Sequence, residues 1–189
     1  ELALKKLLSE GMRKMILDLR GNPGGYLHSA KQISNTFLGK GQTIVITKTN
    51  TGKQEKSVAK GDGIFQKGHV IILVNEQSAS ASEIVAGAIQ DNDRGWIIGR
   101  RTFGKGLVQK QMPLGGGDAV RLTIAKYFTP SGRSIQKPYS NNRNEYYEDL
   151  NNRFENGEMA DQTKIPIIDS LSYKTPQGRI VYGGGGIIP

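Results

Sequence analysis

Three serines, Ser78, Ser80 and Ser82, alternate through Val74-Asn75-Glu76-Gln77-Ser78-Ala79-Ser80-Ala81-Ser82-Glu83, where an apolar, strand-like run gives way to a helix-like one. A serine at such a junction lies beside backbone N–H groups that have no partner inside the helix, at the positive end of its dipole. Those donors suit the oxyanion of an acyl-transfer reaction. The same serines also suit plain helix capping, with Glu83 in the first turn completing a capping box. Local residues do not choose among the three.

A nucleophilic serine needs a base. The chain has two histidines, and neither stands in a triad-like setting: His28 follows a Gly-rich turn and His69 opens an apolar run. Lysine can replace histidine when its surroundings favour the neutral amine. Thr102-Phe103-Gly104-Lys105-Gly106 offers such a setting, with glycines that let the backbone approach closely and with Phe103 and Leu107 as possible shields. Gln109 follows in the next strand-like run and could orient the amine without adding charge. The plain alternative for Lys105 is an exposed loop lysine. A third feature, Asp18-Leu19-Arg20-Gly21-Asn22-Pro23-Gly24-Gly25, lacks both nucleotide-binding glycine spacings. Its backbone N–H groups could supply a second oxyanion donor, or the segment could be only a tight turn.

The elements around these residues alternate. Leucines 2, 4, 7 and 8 predict a helix that Gly11 stops. Residues 15–19 read as a buried strand ending in the Gly-rich turn, and Ala30, Ile33, Phe37 and Leu38 mark a second helix. Residues 43–49 and 55–58 flank Asn50-Thr51-Gly52 as a hairpin. Residues 69–74 form the clearest buried strand, residues 80–90 a helix with Ile84, Val85, Ala88 and Ile89 on its apolar face, and residues 96–98 another strand. Residues 107–112 and 119–128 suit an antiparallel pair, and strand character returns around 180–182. This mixture predicts a mixed α/β domain with helices packed on a sheet.

Composition narrows the function classes. The 189 residues suit one domain with a real core, and the absence of cysteine excludes disulfides and thiolate metal sites. The longest apolar runs are far too short to span a bilayer. Net charge is +9, concentrated as +11 in residues 1–137 against −2 in the remainder. The basic residues are scattered singly, without an aromatic-rich or zinc-finger motif, which argues against nucleic acid as a partner. Residues 139–162, rich in Asn, Tyr and acidic side chains, read as an inserted, solvated excursion with one short helix.

Four ordered blocks resemble the carboxyl-terminal processing peptidases, the tail-specific Ser–Lys peptidases of family S41. They are the Asp18 to Gly25 turn, Ser78-Ala79-Ser80-Ala81-Ser82-Glu83-Ile84-Val85-Ala86-Gly87-Ala88, Thr102-Phe103-Gly104-Lys105-Gly106-Leu107-Val108-Gln109, and Leu122-Thr123-Ile124-Ala125-Lys126-Tyr127-Phe128-Thr129-Pro130-Ser131-Gly132-Arg133-Ser134-Ile135-Gln136. The resemblance implies Ser80 as nucleophile, Lys105 as general base and Gln109 as the residue that positions the lysine. It implies backbone N–H donors at Ala81 and at Gly24, with Gly25 as the lesser candidate for the second. The implied fold is similar to the crotonase and Clp-protease β/α spiral, with a partly antiparallel sheet.

The implied activity is endopeptidase cleavage near the C-terminus of a protein or peptide with an apolar tail. The implied setting is the bacterial cell envelope or periplasm, and the chemistry needs no metal or organic cofactor. Family members carry a PDZ domain before this core, and nothing here resembles one, so the chain reads as a catalytic fragment over residues 1–189. A scaffold or peptide-binding domain of the same fold that has lost activity is the alternative, against which the intact Ser80, Lys105 and Gln109 argue. Acyl-CoA chemistry on the same fold rests on analogy alone.

Overall fold

The computed structural model describes residues 2–139 and 143–189. Helix α1 (Leu2–Ser9) leads into strand β1 (Lys14–Asp18), and α2 (Leu27–Phe37) follows the Gly-rich turn. Strands β2 (Thr43–Thr49) and β3 (Gln54–Val58) form the expected hairpin. Strand β4 (His69–Val74) runs into α3 (Ala81–Asp91), and β5 (Trp96–Gly99) comes next. The long strands β6 (Leu107–Gly115) and β7 (Asp118–Phe128) are followed by α4 (Arg143–Glu155), β8 (Ser172–Lys174) and β9 (Ile180–Tyr182).

The strands make two principal sheets. One is parallel in the order β1-β4-β5, as strand–helix–strand crossovers require. The other is antiparallel in the order β3-β2-β7-β6, and β8 and β9 pair separately. The mixed α/β architecture with a partly antiparallel sheet is therefore as expected. Between the sheets lies α3, packed against α2, β2 and β5. Every residue of α3 is buried, including Glu83, Gln90 and Asp91. The one-sided apolar stripe expected of it is thus replaced by burial all round, which its polar residues tolerate only because each has partners. Asp91, for example, pairs with Arg133 at 2.7 Å, both side chains fully enclosed.

A second expectation is corrected at β1. In place of a buried strand, the structure leaves Ile16 64% exposed, because β1 is an edge strand covered on one face only. Met15 and Leu17 pack on the core with Val70, Ile72, Val74 and Ile97. The opposite face leaves Ile16, Trp96 and Ile98 open. Residues 140–142 of the polar insertion lie outside the described residues. Residues 148–162 are mostly exposed, but Arg153 and Glu158 are buried, so the segment is anchored rather than wholly solvated. The C-terminal glycine run also folds back into the core. Gly184 and Gly186 donate to the carbonyls of Ser134 and Ile135, and Thr102 and Ile187 exchange hydrogen bonds at 2.7 and 3.0 Å. No helix among the described residues is long and apolar enough to cross a membrane.

Candidate active site

The β4–α3 junction is stitched to the Gly-rich turn after β1. Ser78 Oγ donates to Leu19 O at 2.7 Å and accepts from Asn75 N–H at 3.0 Å. Asn75 Oδ1 accepts from Gly21 N–H at 2.9 Å, and Asn22 O accepts from Ala79 N–H at 3.0 Å. Ser82 Oγ donates to the same Asn22 carbonyl at 3.1 Å. Two of the three serines are therefore buried and occupied in holding the turn.

Ser80 differs. It lines a cleft of about 430 Å³ and caps α3 in a strained conformation, φ 55° and ψ −112°. A non-glycine residue held there costs about 1–3 kcal/mol and persists only when its surroundings enforce it. A strained strand-to-helix turn is also the backbone setting that exposes the serine in a nucleophile elbow.

Gly24 explains how the turn can come so close. Its φ is +94°, and a Cβ there would meet Ala79 O at 2.5 Å and Ala81 N at 2.6 Å. Only glycine fits. Ala81 opens α3, so its N–H has no intrahelical acceptor. Gly24 N–H is directed at Asn22 Oδ1, 2.9 Å away.

Lys105 sits in an irregular segment between β5 and β6, and it lines the same cleft as Ser80. Gln109, Gly24, Gly25 and Ala81 line the same cleft, with Leu27, Ile84, Leu107 and Val108 as apolar wall. A register shift between Val108 and Gln109 marks a bulge, a feature that re-aims side chains. Neither histidine borders the cleft. Leu107 stands where a shield for the amine was expected, but Phe103 does not: it packs edge-on against Tyr146, with the Lys137 ammonium 4.3 Å from its ring centre. Among the described residues no carboxylate lies within ion-pair distance of Lys105 Nζ. The side chains of Ser80 and Lys105 are not hydrogen-bonded to one another in this conformation. Such contacts often tighten only when substrate is bound.

Two further residues, Glu83 and Tyr127, bind the serine junction to the lysine loop. The Glu83 carboxylate is fully buried and accepts four hydrogen bonds. Oε2 takes Ser80 N–H at 2.8 Å and Lys105 N–H at 2.9 Å; Oε1 takes Thr102 Oγ1–H at 2.6 Å and Gly104 N–H at 2.7 Å. Burial raises its pKa above the usual glutamate value, although all four donors pull the other way. From the other side, Tyr127 Oη lies 2.7 Å from Lys105 O and 3.1 Å from Ser80 O. Burial, then the Glu83 charge, push the phenol well above its ordinary value, so it remains a donor. Glu83 was visible in the sequence only as a capping residue. Tyr127 carries one weak signal in the sequence, its alternation with Lys126 in step with Ala125 along β7, and both are buried.

Residues 1–142 match the model of peptidase family S41. The chain is 47% identical over 135 residues to the carboxy-terminal-processing protease of Bartonella bacilliformis, covering 69% of this chain and 30% of that protein. It is 44% identical over 135 residues to the carboxyl-terminal-processing protease of a Synechocystis strain, covering 71% and 31%. Among solved structures, the photosystem II D1 C-terminal processing protease superposes with a TM-score of 0.64 at 36% identity, over 71% of this chain and 35% of that one. The chain thus spans about three-tenths of the length of the curated relatives it matches. It belongs to peptidase family S41.

Proposed function

We propose that this chain is the catalytic core of a serine endopeptidase working by a Ser80–Lys105 dyad, with proteins cleaved near their C-terminus as substrates. The observation that carries the reading is that one buried carboxylate, Glu83, holds the backbone of Ser80 and of Lys105 at once, and both residues line one cleft. Ser80 Oγ attacks the peptide carbonyl as the Lys105 amine takes its proton. The tetrahedral oxyanion is met by Ala81 N–H and by a donor from the Gly24–Gly25 turn; use of Gly24 N–H requires its bond to Asn22 to open. The lysine then returns its proton to the leaving amine, and water attacks the acyl-enzyme to release the new C-terminus and regenerate Ser80. Gln109 serves to orient the lysine.

The apolar wall of Leu27, Ile84, Leu107 and Val108 suits substrates with apolar tails. The setting we propose is the bacterial cell envelope, as the family resemblance implies. The test is hydrolysis of a labelled peptide with an apolar C-terminus by the full-length protein. Ser80→Ala and Lys105→Ala are each expected to lower the turnover number by about three orders of magnitude or more, the scale seen when one member of a catalytic unit is removed. Turnover retained in either variant would sink the dyad, and a wild-type protein that binds the peptide without cleaving it would favour a scaffold role.

A further inference from the structure

The family match ends at residue 142, and α4 lies beyond it. Residues 148–155 of that helix mostly face solvent, with Phe154 75% and Leu150 42% exposed, so burial of an apolar stripe does not explain its place. What anchors it is Arg153, 2% exposed at the side chain. Its Nη1 donates to Thr102 O at 2.9 Å and Arg101 O at 3.3 Å, and its Nη2 to Phe103 O at 3.4 Å. Its Nε lies 3.1 Å from Asp149 Oδ2, one turn earlier on the helix, an ion pair without hydrogen-bond geometry.

The neighbouring contacts converge on the same loop. Arg101 meets Glu158 through Nε at 2.6 Å and Nη2 at 2.5 Å, both side chains being buried, and its Nη1 reaches Gly185 O at 3.0 Å. Lys137 lies between the rings of Phe103 and Tyr146, and its ammonium donates to Tyr146 O and Asp149. Sealing two guanidinium groups away from water is costly, and it persists only where acceptors replace the lost hydration.

The loop leading to Lys105 is therefore held from opposite sides. Its N–H groups point inward: Thr102 to Ile187 O, Phe103 to Ser78 O, and Gly104 and Lys105 to Glu83. Its carbonyls at 101, 102 and 103 accept from the Arg153 guanidinium. A planar fork that spans successive carbonyls fixes their orientation as well as their place.

We infer that Arg153 is a positioning residue for Lys105, carried by a segment outside the family match and acting through the carbonyls two to four residues before the lysine. The inference rests on Lys105 being the base. Its consequence lies in the reaction step, since a displacement of about 1 Å in a catalytic group can cost about a hundredfold in rate.

The experiment uses the full-length protein. Steady-state hydrolysis of the labelled peptide is combined with the rate of Ser80 labelling by a fluorophosphonate probe, both normalised to titrated active sites. For Arg153→Met the turnover number is expected to fall roughly 10- to 100-fold with KM within about twofold, and Arg153→Lys, which keeps charge without the fork, to recover part of the loss. In a Lys105→Ala background the same Arg153→Met change is expected to alter labelling by less than about twofold, because a residue acting through the lysine has nothing left to act through. An equal fractional loss with and without the lysine would overturn the inference, as would normalised turnover unchanged in Arg153→Met. Full activity in Lys105→Ala would instead remove the dyad reading itself. If Arg153→Met does not fold, Asp149→Asn, at a partly exposed partner, is expected to lower the turnover number about threefold. No change in that variant would also overturn the inference.

Discussion

The two halves of the candidate site are built differently. Ser80 stands at a junction of regular elements: β4 ends, α3 begins, and the bend between them turns the serine toward the cleft. Lys105 stands in a segment with no regular structure, kept in place by side chains from α3, β7 and α4. A nucleophile needs unpaired N–H donors beside it, which a helix start supplies through local geometry. In the proposed dyad the lysine must be held near the serine, and distant groups converge on the backbone of its segment. The serine's position is mainly local and the lysine's mainly tertiary.

Gly24→Ala should separate the halves most sharply. The added methyl falls on Ala79 O and Ala81 N, at a residue whose φ of +94° already excludes alanine at low cost. Turnover is expected to fall by about two to three orders of magnitude, the scale for loss of one oxyanion donor. The lysine loop should be untouched, so hydrogen exchange at residues 102–106 should remain as in the wild type. Faster exchange there would show that the halves are not independent.

Glu83→Gln should damage both halves together. Whichever way the amide turns, its NH₂ group faces donors, Ser80 and Lys105 N–H on one side or Gly104 N–H on the other. A buried donor left unpaired costs about 1–3 kcal/mol, so with one or two such donors the urea midpoint should drop accordingly and turnover should fall by about a hundredfold. The same residue gives stability a pH dependence. Its folded-state pKa is raised, so the folded protein keeps a proton that the unfolded chain releases above about 4.5. The contribution is whole below pH 4.5 and is lost as pH rises through the raised value. The stability gap between wild type and Glu83→Gln should therefore narrow across that window, and a gap independent of pH would contradict it.

Tyr127→Phe is the mildest of these changes. It removes one hydroxyl from between the carbonyls of Ser80 and Lys105. A stability loss of about 1 kcal/mol is expected, with turnover down several-fold and KM little altered. An unchanged rate would mean that Glu83 alone couples the halves.

The same contrast governs what could be read from the sequence. The β4–α3 junction was legible because a buried apolar run, small residues and a capping pattern are all local signals. Choosing Ser80 over Ser78 and Ser82 was not a local matter, because the two outer hydroxyls are taken up by Leu19 O and Asn22 O, about sixty residues away. Lys105 rose above a surface lysine only through the order of the family blocks. Glu83 was read as a cap, which is half of what it does. Arg153 gave no signal at all: it sits in a polar, poorly amphipathic helix, and its partners lie about fifty residues earlier in the chain. The exposure of β1 likewise depended on sheet order, which periodicity does not encode.

The most direct measurement is to identify the residue that becomes acylated. The full-length protein, incubated with an activated ester of an apolar peptide and quenched in acid, would be digested and mapped by mass spectrometry. The expected result is a single acyl adduct on Ser80, formed in the wild type and slowed by about three orders of magnitude in Lys105→Ala. An adduct on Ser78 or Ser82, or one that forms on Ser80 at the same rate without Lys105, would contradict the dyad.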